Sequence, residues 1–227
     1  MTEAAAAQPL AVLIDFYDTL AYSQWPWLKR QLAERLSVTP QDISRAMTAT
    51  RPIRSVGTFP DVEGDTANWI EALGIEPSPA LVAELVQLEA DSMRVGVHLY
   101  EDSLPAVHDL RSRGVKTALV SNCSHSTRPV VDRLDLESAF DVVVLSFEVR
   151  SAKPDAPIYH ETLGRLGLPA DDADRCLFVD DQAWFCDGAA ALGMQTRLII
   201  REDADPAEGV STQTGGHPVI TDLTTLL

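Results

Sequence analysis

Short apolar runs recur along the chain without alternating with polar residues: AVLI (11–14), KTALV (116–120), VVVLS (142–146), RCLFV (175–179) and RLII (197–200). Their length and aliphatic, β-branched content predict strands, and the missing period of two predicts strands covered on both faces of a parallel sheet. Segments of helical spacing lie between them. SLPAVHDLRSRG (103–114) places Leu104, Val107 and Leu110 on one side and ends at Gly114, a candidate left-handed C-cap. APIYHETLGRLG (156–167) does the same with Ile158, Thr162 and Leu166, ending at Gly167. From about residue 97 onward this alternation predicts βαβ units and a Rossmann-like, doubly wound α/β core.

The interval from 21 to 95 breaks the pattern. Its apolar residues fall in three helical stripes: Trp25, Leu28, Leu32 and Leu36; then Trp69, Ile70 and Leu73; then Leu81, Leu85 and Leu88. Such a length is too great for a simple crossover. It predicts a small all-helical cap domain over 21–95, inserted after the first strand, with the core formed by 1–20 and 96–227. RPIRSVGTFPDVEGD (51–65) reads as a long loop inside the cap, ADPAEGVSTQTGG (204–216) as a polar loop, and HPVIT as a final short strand.

Charge narrows the function. With 34 acidic against 18 basic residues, the net charge is −16. That excludes a phosphate-binding nucleic-acid face and disfavours anionic membrane surfaces. An anionic small molecule remains a candidate partner, provided a local cation or metal offsets the field. Three cysteines without CxxC spacing argue against a disulfide framework or a zinc site and for a reducing compartment, the cytoplasm. The alanine-rich start lacks a basic stretch and a long apolar run, and reads as a disordered leader. The expected assembly is a monomer or homodimer.

In open α/β sheets ligands bind beyond the carboxyl ends of the strands. The residues there are Asp15 after the first run, Ser121 and Asn122 after the second, Lys153 after the third and the pair Asp180–Asp181 after the fourth. Each alone has a plain structural reading. Asp15 suits a turn, Ser121 and Asn122 a helix cap, KPD a helix start, and Asp180–Asp181 a solvated loop. Their recurrence at four successive strand ends points instead to one site.

The four segments IDFYDTL (14–20), VSNCS (120–124), AKPDAPIY (152–159) and FVDDQAWFCDGAAALGM (178–194) resemble, in order and spacing, the motifs of the haloacid dehalogenase superfamily. A helical insertion after the first segment matches that family's commonest cap position. The resemblance implies Asp15 as the nucleophile, forming an aspartyl ester or phosphate. It implies that Ser121 bonds the transferred group, that Asn122 supports that loop, and that Lys153 neutralises charge on Asp15 and substrate. Thr19 would stabilise the first loop. Asp15, Asp180, Asp181 and the backbone carbonyl of Tyr17 would hold Mg²⁺. Arg51 and Arg54 are candidates for binding the substrate from the cap.

Three positions depart from the family pattern. Tyr17 stands where its phosphatases carry a second aspartate that protonates the leaving group. With an ordinary pKa near 10, tyrosine is a poor base. Asp18 replaces a usual glycine, which Asp tolerates if the position needs positive φ. Phe185 replaces an acidic or amide residue, and Asp187 lies on another side of the helix. Tyr17 and the AW of QAWF resemble the 2-haloacid dehalogenase branch, in which halide departs without a proton. Asp180–Asp181 would repel that branch's anionic substrates. The favoured reading is a Mg²⁺-dependent phosphatase acting on a small phosphorylated metabolite. The alternatives are a 2-haloacid dehalogenase and a non-catalytic phosphometabolite-binding protein.

Overall fold

The computed structural model describes residues 8–201 and 214–226; the leader and most of the 204–216 stretch lie outside them. In chain order the elements are β1 (Ala11–Ile14), β2 (Ala21–Ser23), α1 (Trp25–Leu36), α2 (Pro40–Arg54), α3 (Val62–Ala72), α4 (Pro79–Gly96), β3 (Val97–Leu99), α5 (Ser103–Ser112), β4 (Lys116–Ser121), α6 (Arg128–Arg133), α7 (Leu136–Ala139), β5 (Val142–Leu145), α8 (Ser146–Val149), α9 (Ala156–Arg165), β6 (Cys176–Asp180), α10 (Ala183–Ala190), β7 (Gln195–Ile199) and β8 (Val219–Ile220). Among the described residues six strands form a parallel sheet in the order β5-β4-β1-β6-β7-β8. The order steps outward from β1 in both directions, so helices must cover both faces.

The expected two-sided burial is what the sheet shows. Val12 and Ile14 of β1 pack on one face with Val107 and Leu110 of α5. Ala11 and Leu13 pack on the other with Ile158 of α9 and Ala189 of α10. Alternate residues face opposite sides, and both sides are apolar. In α5 one expected core residue is misplaced: Leu104 is exposed, and Ser103 is buried instead, its hydroxyl donating to the Leu20 carbonyl at 2.7 Å. Position 103 lies one turn before Ala106 and Val107, so the buried stripe runs through it. Gly114 and Gly167 both have positive φ, as a left-handed cap requires.

The cap helices have their own core, built on Leu28, Leu32, Ile43, Trp69, Ile70 and Leu85. Their starts are legible in local chemistry. Thr39 and Asp42 form a capping box at α2, while Asp61 and Ser78 accept backbone N–H bonds at α3 and α4. Two expectations need correcting. The 51–65 loop is shorter than predicted, because α2 runs through Pro52 to Arg54 and α3 begins at Val62. Thr50 bonds the Ala46 carbonyl and Arg54 the Met47 carbonyl, which hold the last turn together around the missing proline N–H. The antiparallel β2–β3 ribbon at the base of the cap is also absent from the periodicity, because three-residue strands carry too little pattern. Among the described residues no helix is long and apolar enough to cross a membrane.

Candidate active site

Strand register sets the site. Ile14 pairs with Leu119 on one side and Val179 on the other, so Asp15 and Asp180 emerge at one level, with Ser121 at the end of β4. The Asp15 N–H donates to the Val179 carbonyl at 2.9 Å, which fixes the first residue beyond the strand. Carboxylate oxygens of Asp15, Asp180 and Asp181 lie within 4.8 Å of one another, and all three residues are buried.

Lys153 enters this cluster from the turn before α9. Its Nζ donates to Asp15 Oδ1 and, at 2.6 Å, to Asp180 Oδ2. The rings of Phe185 and Phe178 stand 4.8 and 5.5 Å from the same nitrogen. Asn122 holds the lysine backbone from both sides, donating to its carbonyl and accepting from its N–H, each at 2.8 Å. Asn122 thus positions the lysine.

Three buried carboxylates face one ammonium, and proton affinities respond. Burial alone would pull Lys153 down, but Asp15 and Asp180 outweigh it and keep the amine charged. Burial pushes Asp180 up to about 7, with Lys153 opposing and Asp15 adding to the rise. Asp181 is raised well above the carboxylate range by burial, Asp180, Asp15 and Asp18. Gln182 tethers the pair, its backbone N–H to Asp180 at 2.8 Å and its side chain to Asp181 at 2.6 Å. All-oxygen donors carrying excess negative charge suit a hard divalent cation such as Mg²⁺.

A cavity of about 400 Å³ opens on this cluster. Asp15, Tyr17, Ser121, Asn122 and Asp181 line it from the core, and Trp25, Met47, Arg51, Arg54 and Glu89 from the cap. The candidate cap arginines therefore do reach the site, though from helix α2 and not from a loop. Arg54 is fixed by bonds to Thr50 and Met47 at 3.0 Å, while Arg51 is exposed. The Ser121 hydroxyl is buried beside the Cys123 thiol and has no oxygen or nitrogen partner among the described residues. An unspent donor at this mouth suits a ligand oxygen. Thr19 is fully buried and does not line the cavity; its carbonyl accepts two bonds from Arg201, at 2.6 and 3.1 Å.

The departures take definite forms. Asp18 has φ +58°, the left-handed conformation that a short polar side chain tolerates. The Tyr17 hydroxyl lies 3.3 Å from Thr127 Oγ1, and burial drives its pKa far above the ordinary phenol value. It is a neutral hydrogen-bonding group and no base. Phe185 covers Lys153, and its carbonyl accepts from the Tyr159 hydroxyl at 2.7 Å. Asp187 points away, 3.0 Å from His217 Nε2. Cys123 lines the cavity, but burial pushes its thiol up to about 12, too high for a thiolate nucleophile.

Some neighbours of the site carried no sequence signal. Arg201 holds the first loop, with its Nη1 on Asp102 at 2.8 Å. Asp65 of α3 meets His125, beyond β4, at 2.7 Å, joining cap to core. Glu89 sits on the apolar-rich helix α4 and faces the cavity.

Known proteins resemble the chain as follows. A family model described as haloacid dehalogenase-like hydrolase matches residues 9–193. A phosphatase of Mycobacterium tuberculosis is 34% identical over 120 residues, 52% of each chain. An (S)-2-haloacid dehalogenase of Pseudomonas putida is 31% identical over 105 residues, 46% of this chain and 45% of its own. These matches span about half the length of those curated relatives. The L-2-haloacid dehalogenase of Xanthobacter autotrophicus, with chloropropionic acid covalently bound, superposes with a TM-score of 0.66 at 19% identity, covering 96% of this chain and 97% of that one; it shares the fold. The family model spans the helical insertion and the sheet strands β1, β4, β5 and β6, and the chain belongs to the haloacid dehalogenase-like hydrolases.

Proposed function

We propose that the protein is a Mg²⁺-dependent phosphatase acting on a small phosphorylated metabolite, with Asp15 as the nucleophile. One observation carries the reading: three buried carboxylates cluster at the attacking oxygen, and the one ammonium there bonds only two of them. An anionic substrate entering there meets repulsion of about 1 kcal/mol per charge pair at contact in water, and more in a drier site. A cation held by Asp15, Asp180, Asp181 and the Tyr17 carbonyl would offset that charge and polarise a phosphoryl oxygen.

The remaining chemistry falls to the chain. Lys153 neutralises Asp15 and the transferred group together, and its ammonium needs no reorganisation because two carboxylates already fix it while Asn122 holds its backbone. Ser121 offers its unpartnered hydroxyl to a phosphoryl oxygen. Arg51 and Arg54 face the part of the substrate that leaves.

The second reading, a 2-haloacid dehalogenase, is favoured by Tyr17, since halide leaves without a proton, and by the dehalogenase relatives. The two separate in one assay: phosphate release from p-nitrophenyl phosphate with and without Mg²⁺, beside chloride release from 2-chloropropionate. The phosphatase reading expects metal-dependent phosphate release that Asp15→Asn abolishes. Chloride release indifferent to EDTA would replace it with the dehalogenase. Neither activity, with Mg²⁺ and a phosphate analogue still raising the melting temperature, would indicate a binding protein.

A further inference from the structure

With Tyr17 unable to donate a proton, the phosphatase reading lacks a group to protonate the leaving oxygen. Among the described residues four acidic side chains line the cavity: Asp15, Asp18, Asp181 and Glu89. Asp15 is the nucleophile, Asp181 belongs to the metal cluster, and Asp18 stands close enough to that cluster to act on Asp181. Glu89 stands outside all three. It comes from the cap on α4 and lines the cavity together with Ser126 and Thr127 of the core. Thr127 meets the Tyr17 hydroxyl at 3.3 Å, and α4 packs on that same 125–127 turn, so Glu89 lines the cavity next to the side chain that fills the missing acid's place.

We propose that Glu89 is the general acid–base of the phosphatase reaction, delivered from the cap because Tyr17 cannot serve from the core. The inference rests on the phosphatase reading above. Asp15 attacks phosphorus; the bond to the ester oxygen breaks with its electron pair, and that oxygen takes the Glu89 proton as it leaves. Water then attacks the aspartyl phosphate and passes a proton to the Glu89 carboxylate, while the bond to Asp15 breaks. Acid and nucleophile are both regenerated, with one water consumed.

The surroundings suit that cycle. The charged and titratable groups that act on Glu89 are Arg54 of α2 and Asp65 of α3, and Glu89 acts in turn on Tyr17. Burial raises Glu89 above the ordinary carboxylate range, Ser126 and Arg54 pull it down, and Asp65 adds to the rise. The direction of that shift favours the protonated form that a general acid must hold. Arg54 is engaged by its own helix through Thr50 and Met47.

Leaving-group dependence is the test. A p-nitrophenolate departs readily without a proton, whereas phenolate gains much from one, and both esters present a ring of similar size. The ratio of kcat/KM for p-nitrophenyl phosphate to that for phenyl phosphate, which reports steps up to phosphorylation of Asp15, is measured with Mg²⁺ in the wild type and in Glu89→Gln. The ratio is expected to rise about 10²-fold in the variant. An unchanged ratio in an active variant would overturn the inference and leave the phosphatase reading standing. A wild type that hydrolyses neither ester would overturn both. If Glu89→Gln fails to fold, Glu89→Asp, one methylene shorter, is expected to move the ratio in the same direction, and a constant ratio there would overturn it equally.

Discussion

Lys153 is fully buried between Asp15 and Asp180, and its loss would leave three carboxylates with no cation beside them. Removing one partner of such a network costs about 3–5 kcal/mol. Lys153→Met is therefore expected to lower the unfolding free energy, read from denaturant titration, by that amount and to abolish turnover. A variant of wild-type stability would show that the carboxylates do not depend on the ammonium. The raised carboxyls give a second prediction. Asp180, Asp181 and Glu89 hold protons more tightly folded than unfolded, where carboxylates titrate near 4. Between about pH 4 and pH 7 the folded state binds more protons, so stability falls as pH rises through that window. Asp42, Glu84 and Asp222 are shifted down and act below it. In EDTA the melting temperature is expected to drop from about pH 5 to about pH 7.5, and Mg²⁺ to raise it more at the higher pH, where the ligands are ionised. A melting temperature that climbs across the window in EDTA would contradict the charge arrangement.

Two close approaches between elements position the site. A Cβ on Gly188 of α10 would lie 2.5 Å from the Pro154 carbonyl oxygen, so the helix after the acidic pair packs directly on the turn that carries Lys153. Gly188→Ala must push them apart. It is expected to cost about 1–3 kcal/mol and to lower kcat through a displaced Lys153, read by denaturation and steady-state kinetics. Gly57 plays the comparable part between cap and core, with φ +61° and the Phe147 carbonyl oxygen 2.2 Å from where a Cβ would stand. The strands, the two-sided sheet and the polar residues at four strand ends were legible because they rest on local composition and on a rule about parallel sheets. The end of α2 was not. Pro52 lacks the N–H that continues a helix, yet backbone bonding resumes at Ser55 N–H to the Arg51 carbonyl, with side-chain bonds back to Ala46 and Met47 beside it. Arg201 and Thr19, or Asp65 and His125, lie too far apart in sequence for any periodicity to pair them.

A protein with net charge −16 repels the anion it is proposed to bind. Raising ionic strength from about 10 mM to about 150 mM shortens the screening length from roughly 30 Å to 8 Å, so KM for a phosphate ester is expected to fall over that range. A basic funnel at the cavity would give the opposite trend. All other inferences about the reaction depend on the identity of the intermediate. Acid quenching during Mg²⁺-supported turnover of p-nitrophenyl phosphate, followed by mass analysis of the peptides, is predicted to find one phosphoryl group on Asp15. Phosphate release at an undiminished rate from Asp15→Asn, or turnover with no label on Asp15, would contradict the account.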